Sequence, residues 1–168
     1  MKKKTASILA LFIMLVFIVL TFIPCICEEQ YWKSGIITTP NGQYTYGSTM
    51  SYSGNLNLWG VNDYGVLKGY TFLNYLILAA AIISVVAFGL HIADKKSGIV
   101  KITNVFPTVT LILYLFYAIV VFGVNGRIEF TGEHVELIPA LGFFVGCVLL
   151  IVAIIFSILL RKDKLKKE

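Results

Sequence analysis

The sequence predicts an all-α membrane protein, a transmembrane bundle of four helices that carries a small extracytoplasmic antiparallel β-sheet. The 168-residue chain is 58% hydrophobic and only 14% charged, whereas soluble domains carry about 25% charged residues. Four apolar segments each approach the roughly 20 residues that a helix needs to cross a bilayer. The longest segment between them is rich in residues that favour strands.

The four predicted helices organise the chain as a single membrane domain, because a chain of this size has no room for a second globular domain. The helices cover residues of about 6–24, 72–92, 105–124 and 138–160. The connecting segments are an outer β-rich loop over 25–70, a cytoplasmic loop over 93–104, a short outer loop over 125–137 and a cytoplasmic tail over 161–168.

The first apolar segment has an alternative interpretation as a cleaved signal peptide. Lys2, Lys3 and Lys4 precede it, as basic residues precede the apolar region of a signal peptide. The apolar run from Ala6 to Ile23 is longer than the roughly 7–15 residues of such a region, and no small-x-small cleavage site follows it. The sequence therefore favours a retained helix and leaves cleavage open.

The distribution of Lys and Arg predicts that both termini lie in the cytoplasm. Cytoplasmic segments of membrane proteins carry an excess of these residues. Of the 14 lysines and arginines, only Lys33, Lys68 and Arg127 fall in the predicted outer loops. Topology thus accounts for the net charge of +5, and no nucleic-acid partner is expected. The prediction is a multi-pass protein of the cell membrane.

The outer loop over 25–70 has the composition of an antiparallel sheet. It is rich in Tyr, Thr, Trp and Ile, and Asn41-Gly42 is a strong hairpin signal between two extended runs. We expect three or four short strands here. Residues 127–131 of the second outer loop also alternate in strand fashion. Because a lone strand is unstable, we expect it to pair with an edge of the first sheet.

The chain has three cysteines, Cys25, Cys27 and Cys147. Cys147 lies within the fourth predicted span. A bridge between Cys25 and Cys27 would be strained at this separation, although an oxidising compartment would favour disulfides. Free thiols are the favoured interpretation, and a bridge within this pair or to another chain stays open.

Trp32 follows the first predicted helix, and Leu58-Trp59 comes later in the same outer loop. Together with four spans, a large first outer loop and a short second one, these residues resemble the claudin group and its peripheral myelin protein-like and channel-auxiliary relatives. The resemblance implies a four-helix bundle beneath an outer β-sheet. Asn57 stands where the motif has glycine, and no cysteine follows Trp59 in the loop, so the family's loop cysteines are missing.

The predicted spans hold few ionisable residues, which in membranes mark ion paths, proton relays and cofactors. His91, near the inner end of the second span, is the main candidate, and Asp94 lies on the same helix face. The other histidine, His134, is predicted on the opposite side of the membrane. No catalytic residue, cofactor or metal site is therefore predicted, and we do not expect an enzyme.

Small residues in two spans have the spacing of helix-packing motifs. Gly142 and Gly146 form a GxxxG motif in the fourth span, and Ala80 and Ser84 form a small-xxx-small pair in the second. Small residues let helices approach closely in lipid. These pairs either close the chain's own bundle or dock a partner helix.

The leading hypothesis is a non-enzymatic interaction or assembly protein that acts as an accessory or structural subunit. Its expected partners are the lipid bilayer and either another membrane protein or a second copy. The alternatives are a subunit of an oligomeric channel or channel-auxiliary protein, and a membrane thiol-redox enzyme using Cys25 and Cys27. The predicted partner contacts are aromatic residues of the outer loop: Trp32, Tyr44, Tyr46, Tyr52 and Trp59.

Overall fold

Long helices alternate with strand-forming segments along the chain. The computed structural model describes residues 3–38, 42, 44–63, 67–93, 99–124, 127–130 and 133–165. Within this part, the α-helices are α1 (Lys3–Leu20), α2 (Thr71–Ile92), α3 (Ile99–Ala118) and α4 (Leu141–Leu165). A π-helical segment, Ile119–Val124, continues α3, and two 3₁₀ turns, Gly60–Asp63 and Lys68–Tyr70, precede α2.

Three helical segments are long and apolar enough to cross a membrane, which indicates a membrane protein: Lys68–Ile92, Val105–Gly123 and Leu141–Leu160. The apolar part of α1, Lys4–Leu20, is shorter. α1 ends at Leu20 rather than at the expected residue 24, because tighter turns follow it. The amide of Phe22 donates to the carbonyl of Val19 at 3.1 Å, and Pro24, which has no amide to donate, comes next.

The four helices form a closed ring, since α1 packs on α2 and α4, and α3 packs on the same two helices. One large side chain from each helix is buried in the interior: Phe17, Phe88, Tyr114 and Leu150. The outward faces carry exposed large apolar residues such as Phe12, Val86, Ile112 and Val148. Exposed apolar surface of this extent is typical of contact with a membrane.

The two loops predicted to lie outside the membrane build one antiparallel sheet. Its described strands are β1 (Cys27–Thr38), β2 (Tyr44–Leu56), β3 (Arg127–Phe130) and β4 (Glu133–Pro139). Their order across the sheet is β2-β1-β4-β3. β1 pairs with β2 along its whole length and with β4 as far as Lys33. The outer half of the β1–β2 hairpin thus extends beyond β4.

The first outer loop contains two long strands in its described part, rather than three or four short ones. Between the end of β1 at Thr38 and the start of β2 at Tyr44, the described Gly42 has a φ of 74°, a conformation that favours glycine. Asn41, the other residue of the expected turn, lies outside the described residues.

The second outer loop contributes a hairpin, and its strand order corrects the expectation. The strand that pairs with β1 is β4, whereas β3, which contains the predicted residues 127–130, pairs with β4 alone. Val135 and Leu137 explain this order, because both are buried and alternate along β4, as a strand covering a core requires. β4 extends through Pro139, so α4 begins at Leu141 rather than at residue 138.

One face of the sheet packs on the helix ends. Cys27, Val135 and Leu137 belong to the same buried cluster as Tyr117 and Val121 of the bundle. The apolar core is therefore continuous from the helices into the sheet. This continuity fixes the position of the sheet relative to the helices.

Candidate interaction surface

Asn57 forms hydrogen bonds that connect the end of β2 to the segment after α1. Its Oδ1 accepts the backbone amides of Trp59 at 3.0 Å and Gly60 at 2.7 Å, which is the arrangement by which asparagine stabilises turns. Its Nδ2 donates to the carbonyl of Phe22 at 3.1 Å. A glycine at this position would have no side chain to make these bonds, so Asn57 has a structural role in this chain.

Leu58 joins three elements at the base of the outer domain. Its side chain is fully buried. Its amide donates to the carbonyl of Thr21 at 3.1 Å, and its own carbonyl accepts the Nδ2 of buried Asn74 at 2.7 Å. These bonds connect the end of α1, the loop after β2 and the start of α2. Separating these segments would leave buried polar groups without partners, which costs about 1–3 kcal/mol for each group.

Trp59 contacts aromatic residues of its own chain. Its indole stacks on Phe22 with ring centroids 5.7 Å apart and meets Tyr75 edge-on at 5.3 Å. Phe22 and Tyr75 are themselves exposed at the ends of the helices. Aromatic residues in this position mark the membrane–water interface. Trp59 therefore lies at the base of the outer domain, away from the sheet strands that carry the other predicted contacts.

Trp32 lies in the middle of the sheet, on the face opposite the buried cluster. In register it is flanked by Met50 of β2 and His134 of β4. Its ring stacks on the imidazole of His134, with centroids 6.1 Å apart and planes within 7°. The Nε2 of His134 lies 3.8 Å from Oε1 of Glu136. Met50 is 49% exposed, whereas Trp32 is half-buried and His134 is buried. In this row, the Met50–Trp32–His134 row, Met50 therefore offers most of the apolar surface to solvent.

The three predicted tyrosines all lie on β2, where Tyr44, Tyr46 and Tyr52 pair in register with Thr38, Ile36 and Tyr31 of β1. Their side chains lie outside the described part. The structure thus brings three predicted contact residues onto one strand and Trp32 onto its neighbour, while Trp59 stands apart.

β2 is an open edge of the sheet. It has 13 residues, it contains no charged residue and no proline, and among the described strands it pairs with β1 alone. Proteins protect edge strands by shortness, charge, proline or bulges. β2 has only a bulge, since Ser51 has no register partner on β1. The other edge, β3, is four residues long and contains Arg127 and Glu129.

The small residues of the predicted helix-packing motifs face the interior of the bundle. A Cβ on Gly142 would overlap the Sγ and carbonyl oxygen of Cys25, and a Cβ on Gly146 would lie 2.8 Å from Oη of Tyr114. Ala80 and Ser84 are buried in α2. All four residues thus support close packing within this chain.

The two tyrosines of the third span are enclosed by aromatic rings. Tyr114 and Tyr117 are buried, and their rings stack 6.5 Å apart. Phe17 and Phe143 contact Tyr114 at 5.4 and 4.9 Å. Neither tyrosine hydroxyl has a hydrogen-bond partner among the described residues. This cluster is a packed aromatic core rather than a polar helix face.

His91 joins α1 to α2. Its Nδ1 and the Oγ of Ser7 lie 2.8 Å apart in a hydrogen bond whose direction depends on the tautomer. Asp94, its predicted neighbour on the helix, lies outside the described residues. Within the described part, no group of three or more His, Cys, Asp or Glu side chains is placed to hold a metal ion.

The described cysteines Cys25, Cys27 and Cys147 are free thiols. Burial, together with the nearby charges of Glu29 and Glu28, raises the pKa of Cys27 to about 12. Burial also raises the pKa of Cys25. Because the thiolate is the reactive form, both thiols are poor nucleophiles at neutral pH.

We expect Cys27 to react with iodoacetamide at least about 100-fold more slowly than an ordinary thiol at pH 8. With a pKa of about 12, roughly one thiol in 10⁴ is ionised at this pH, against roughly a quarter at an ordinary pKa of about 8.5. The rate should rise about tenfold per pH unit up to the pKa. Peptide mass spectrometry measures the labelling, and detergent-denatured protein is the control. Equal labelling of folded and denatured protein would contradict the raised pKa.

The outer sheet therefore combines an aromatic outward row with an uncharged open edge, and it is held on the helices by the contacts of Asn57 and Leu58. These features arise from contacts between distant segments rather than from a local motif. Compared with known proteins, the sequence matches no family model, and no curated protein matches it significantly.

Proposed function

We propose that this is an integral membrane protein of interaction and assembly, a non-enzymatic accessory or structural subunit whose bundle holds an outer β-sheet against a partner. The observation that carries the proposal is the open edge of β2, a 13-residue strand without charge. An exposed strand edge binds another strand through its unpaired backbone groups. The bundle serves as the anchor that presents this edge outside the membrane.

Four spans with both termini in the cytoplasm belong to this proposal. α1 completes the ring of helices, and its 18 residues measure about 27 Å at 1.5 Å per residue, close to the roughly 30 Å of a hydrocarbon core. The tight turns through Ile23 extend it further. The Lys and Arg distribution supports this orientation. A claudin-like architecture, in which a bundle carries a sheet from both outer loops, is part of the same proposal.

The positions of small and large residues favour the sheet over the helices as the contact surface. Four small residues pack against other parts of the same chain: Gly142, Gly146, Ala80 and Ser84. The outward helix faces carry large apolar residues suited to lipid. The outward sheet face presents Trp32 beside exposed Met50. Trp and Met are enriched at protein interfaces.

We expect Ser53→Lys to reduce the recovery of bound partner at least tenfold while leaving the fold intact. Ser53 is an exposed residue of β2, and a lysine on an edge strand opposes pairing with another strand. The measurement is quantitative mass spectrometry of proteins cross-linked in cells and recovered in mild detergent. Gly69→Lys is the matched control, because Gly69 is exposed outside the sheet and a Cβ there meets nothing within 4 Å.

The proposal fails in either of two cases. In the first, the wild-type chain is recovered without any cross-linked protein, including itself. In the second, Ser53→Lys retains as much partner as Gly69→Lys.

A further inference from the structure

We propose that the strand bound at the β2 edge is β2 of a second copy, paired antiparallel about Met50. This inference rests on the proposed function and names its partner. A pair of this kind is isologous, with the same surface used on both copies. It would join two four-stranded sheets into one continuous sheet above the membrane.

The sequence of β2 is complementary to itself in this register. Because register partners share a sheet face and β1 alternates, the bulge at Ser51 puts Met50 and Tyr52 on opposite faces. Antiparallel pairing about Met50 that keeps the faces matched sets Ser48 opposite Ser53 of the second copy, Thr49 opposite Tyr52 and Tyr46 opposite Asn55. Hydroxyl-bearing residues in such pairs favour cross-strand hydrogen bonds.

The absence of charge in β2 permits self-pairing. When a strand pairs with its own copy near a two-fold axis, each charged residue meets a like charge close by, which is destabilising. β1 contains Glu28, Glu29 and Lys33, and β3 contains Arg127 and Glu129, but β2 contains no such residue. Among the strands of this sheet, β2 is therefore the one suited to bind its own copy.

The proposed axis passes through the exposed part of the outward face. Met50, at 49% exposure, would meet Met50 of the second copy, with Trp32 beside it on each side. A central apolar cluster surrounded by Ser and Thr has the anatomy of a protein interface.

Membrane anchoring favours this pairing over pairing with a soluble strand. The core that joins sheet and helices holds β2 at one height above the membrane in every copy. Two copies in the same membrane therefore present identical edges at the same level, and confinement raises their effective concentration.

The test is oxidative cross-linking of single-cysteine additions in the full chain in membranes. Met50→Cys lies on the proposed axis, where directly opposite Cβ atoms are about 4.5–5.5 Å apart, and we expect a disulfide-linked dimer. Asn55→Cys is the matched control on the same strand. In the proposed register the two copies of residue 55 lie about 30 Å apart at 3.3 Å per residue. We expect at least tenfold less dimer from it.

A double variant, Tyr46→Cys with Asn55→Cys, places the two cysteines opposite each other on one face and should recover the dimer. The wild-type chain supplies the blank, because burial raises the pKa of Cys25 and Cys27. Equal linkage of Met50→Cys and Asn55→Cys, or linkage of neither, would overturn the inference. Native mass spectrometry of the unaltered chain in nanodiscs gives a second readout, in which a dimer is expected and a monomer counts against self-pairing.

The outcomes also separate this inference from the proposed function. If Met50→Cys forms no dimer but Ser53→Lys still releases a different membrane protein, the sheet edge binds a partner and the second copy is the wrong one. If neither variant changes anything, the proposed function fails as well.

Discussion

Replacing Gly142 with alanine is expected to lower the free energy of unfolding by about 3 kcal/mol, the upper part of the range for overpacking a close contact. The added Cβ would overlap both the Sγ and the carbonyl oxygen of Cys25, and would lie 2.8 Å from its carbonyl carbon. Two of these three atoms belong to the backbone, which cannot turn aside as a flexible side chain can. The Gly142 amide also donates to this carbonyl at 2.8 Å, so separating the segments would break a hydrogen bond.

Thermal unfolding in detergent, followed by tryptophan fluorescence, measures this effect. Gly69→Ala is the matched control, because a Cβ at Gly69 meets nothing within 4 Å. We expect the Gly142 variant to unfold at a clearly lower temperature and the Gly69 variant to behave as wild type. Equal stability of the two variants would show that α4 and Cys25 are not in close contact.

Truncating Leu58 to alanine is expected to cost about 2–5 kcal/mol, as for other buried leucines. The side chain is fully buried at the junction of the sheet and the bundle. The backbone bonds of Leu58 to Thr21 and Asn74 do not involve the side chain. The loss therefore comes from the cavity and the removed apolar contacts rather than from unpaired polar groups.

The same unfolding measurement tests the Leu58 prediction, with Leu76→Ala as its control. Leu76 lies on α2 at 47% exposure, so its truncation exchanges protein–lipid contacts and should cost less than about 1 kcal/mol. A larger effect at Leu76 than at Leu58 would contradict the packing described for the base of the outer domain. Because Trp59 follows Leu58 directly, we also expect its fluorescence to change in the Leu58 variant alone.

The start of α2 and the strand-forming character of both outer loops could be predicted closely. α2 begins at Thr71 against an expected residue 72, because the change from Tyr- and Gly-rich sequence to an apolar run is local. The end of α1 and the start of α4 were predicted less well. Apolar residues follow the end of α1 and precede the start of α4, so hydropathy alone does not mark either boundary; Pro24 and Pro139 lie there instead.

The order of strands could not be predicted from alternation. Apolar and polar residues alternate both in 127–131 and in 133–139, so alternation does not say which strand pairs with β1. In the structure that strand is β4, whose Val135 and Leu137 are buried. The sequence likewise does not predict which residues the small residues contact. GxxxG spacing indicates close approach, but it does not say that Gly142 meets Cys25 and Gly146 meets Tyr114.

Hydropathy, strand-forming composition and charge therefore decide which segments of this chain belong in lipid and which form an outer sheet, because these properties depend on neighbouring residues alone. Folding in three dimensions decides which strand becomes the open edge, and that small residues such as Gly142 pack inward. These outcomes depend on contacts between segments that are distant in sequence, such as β1 with β4 and Cys25 with Gly142. The uncharged edge of β2 is a property of composition, but its availability for pairing is a consequence of its place in the sheet.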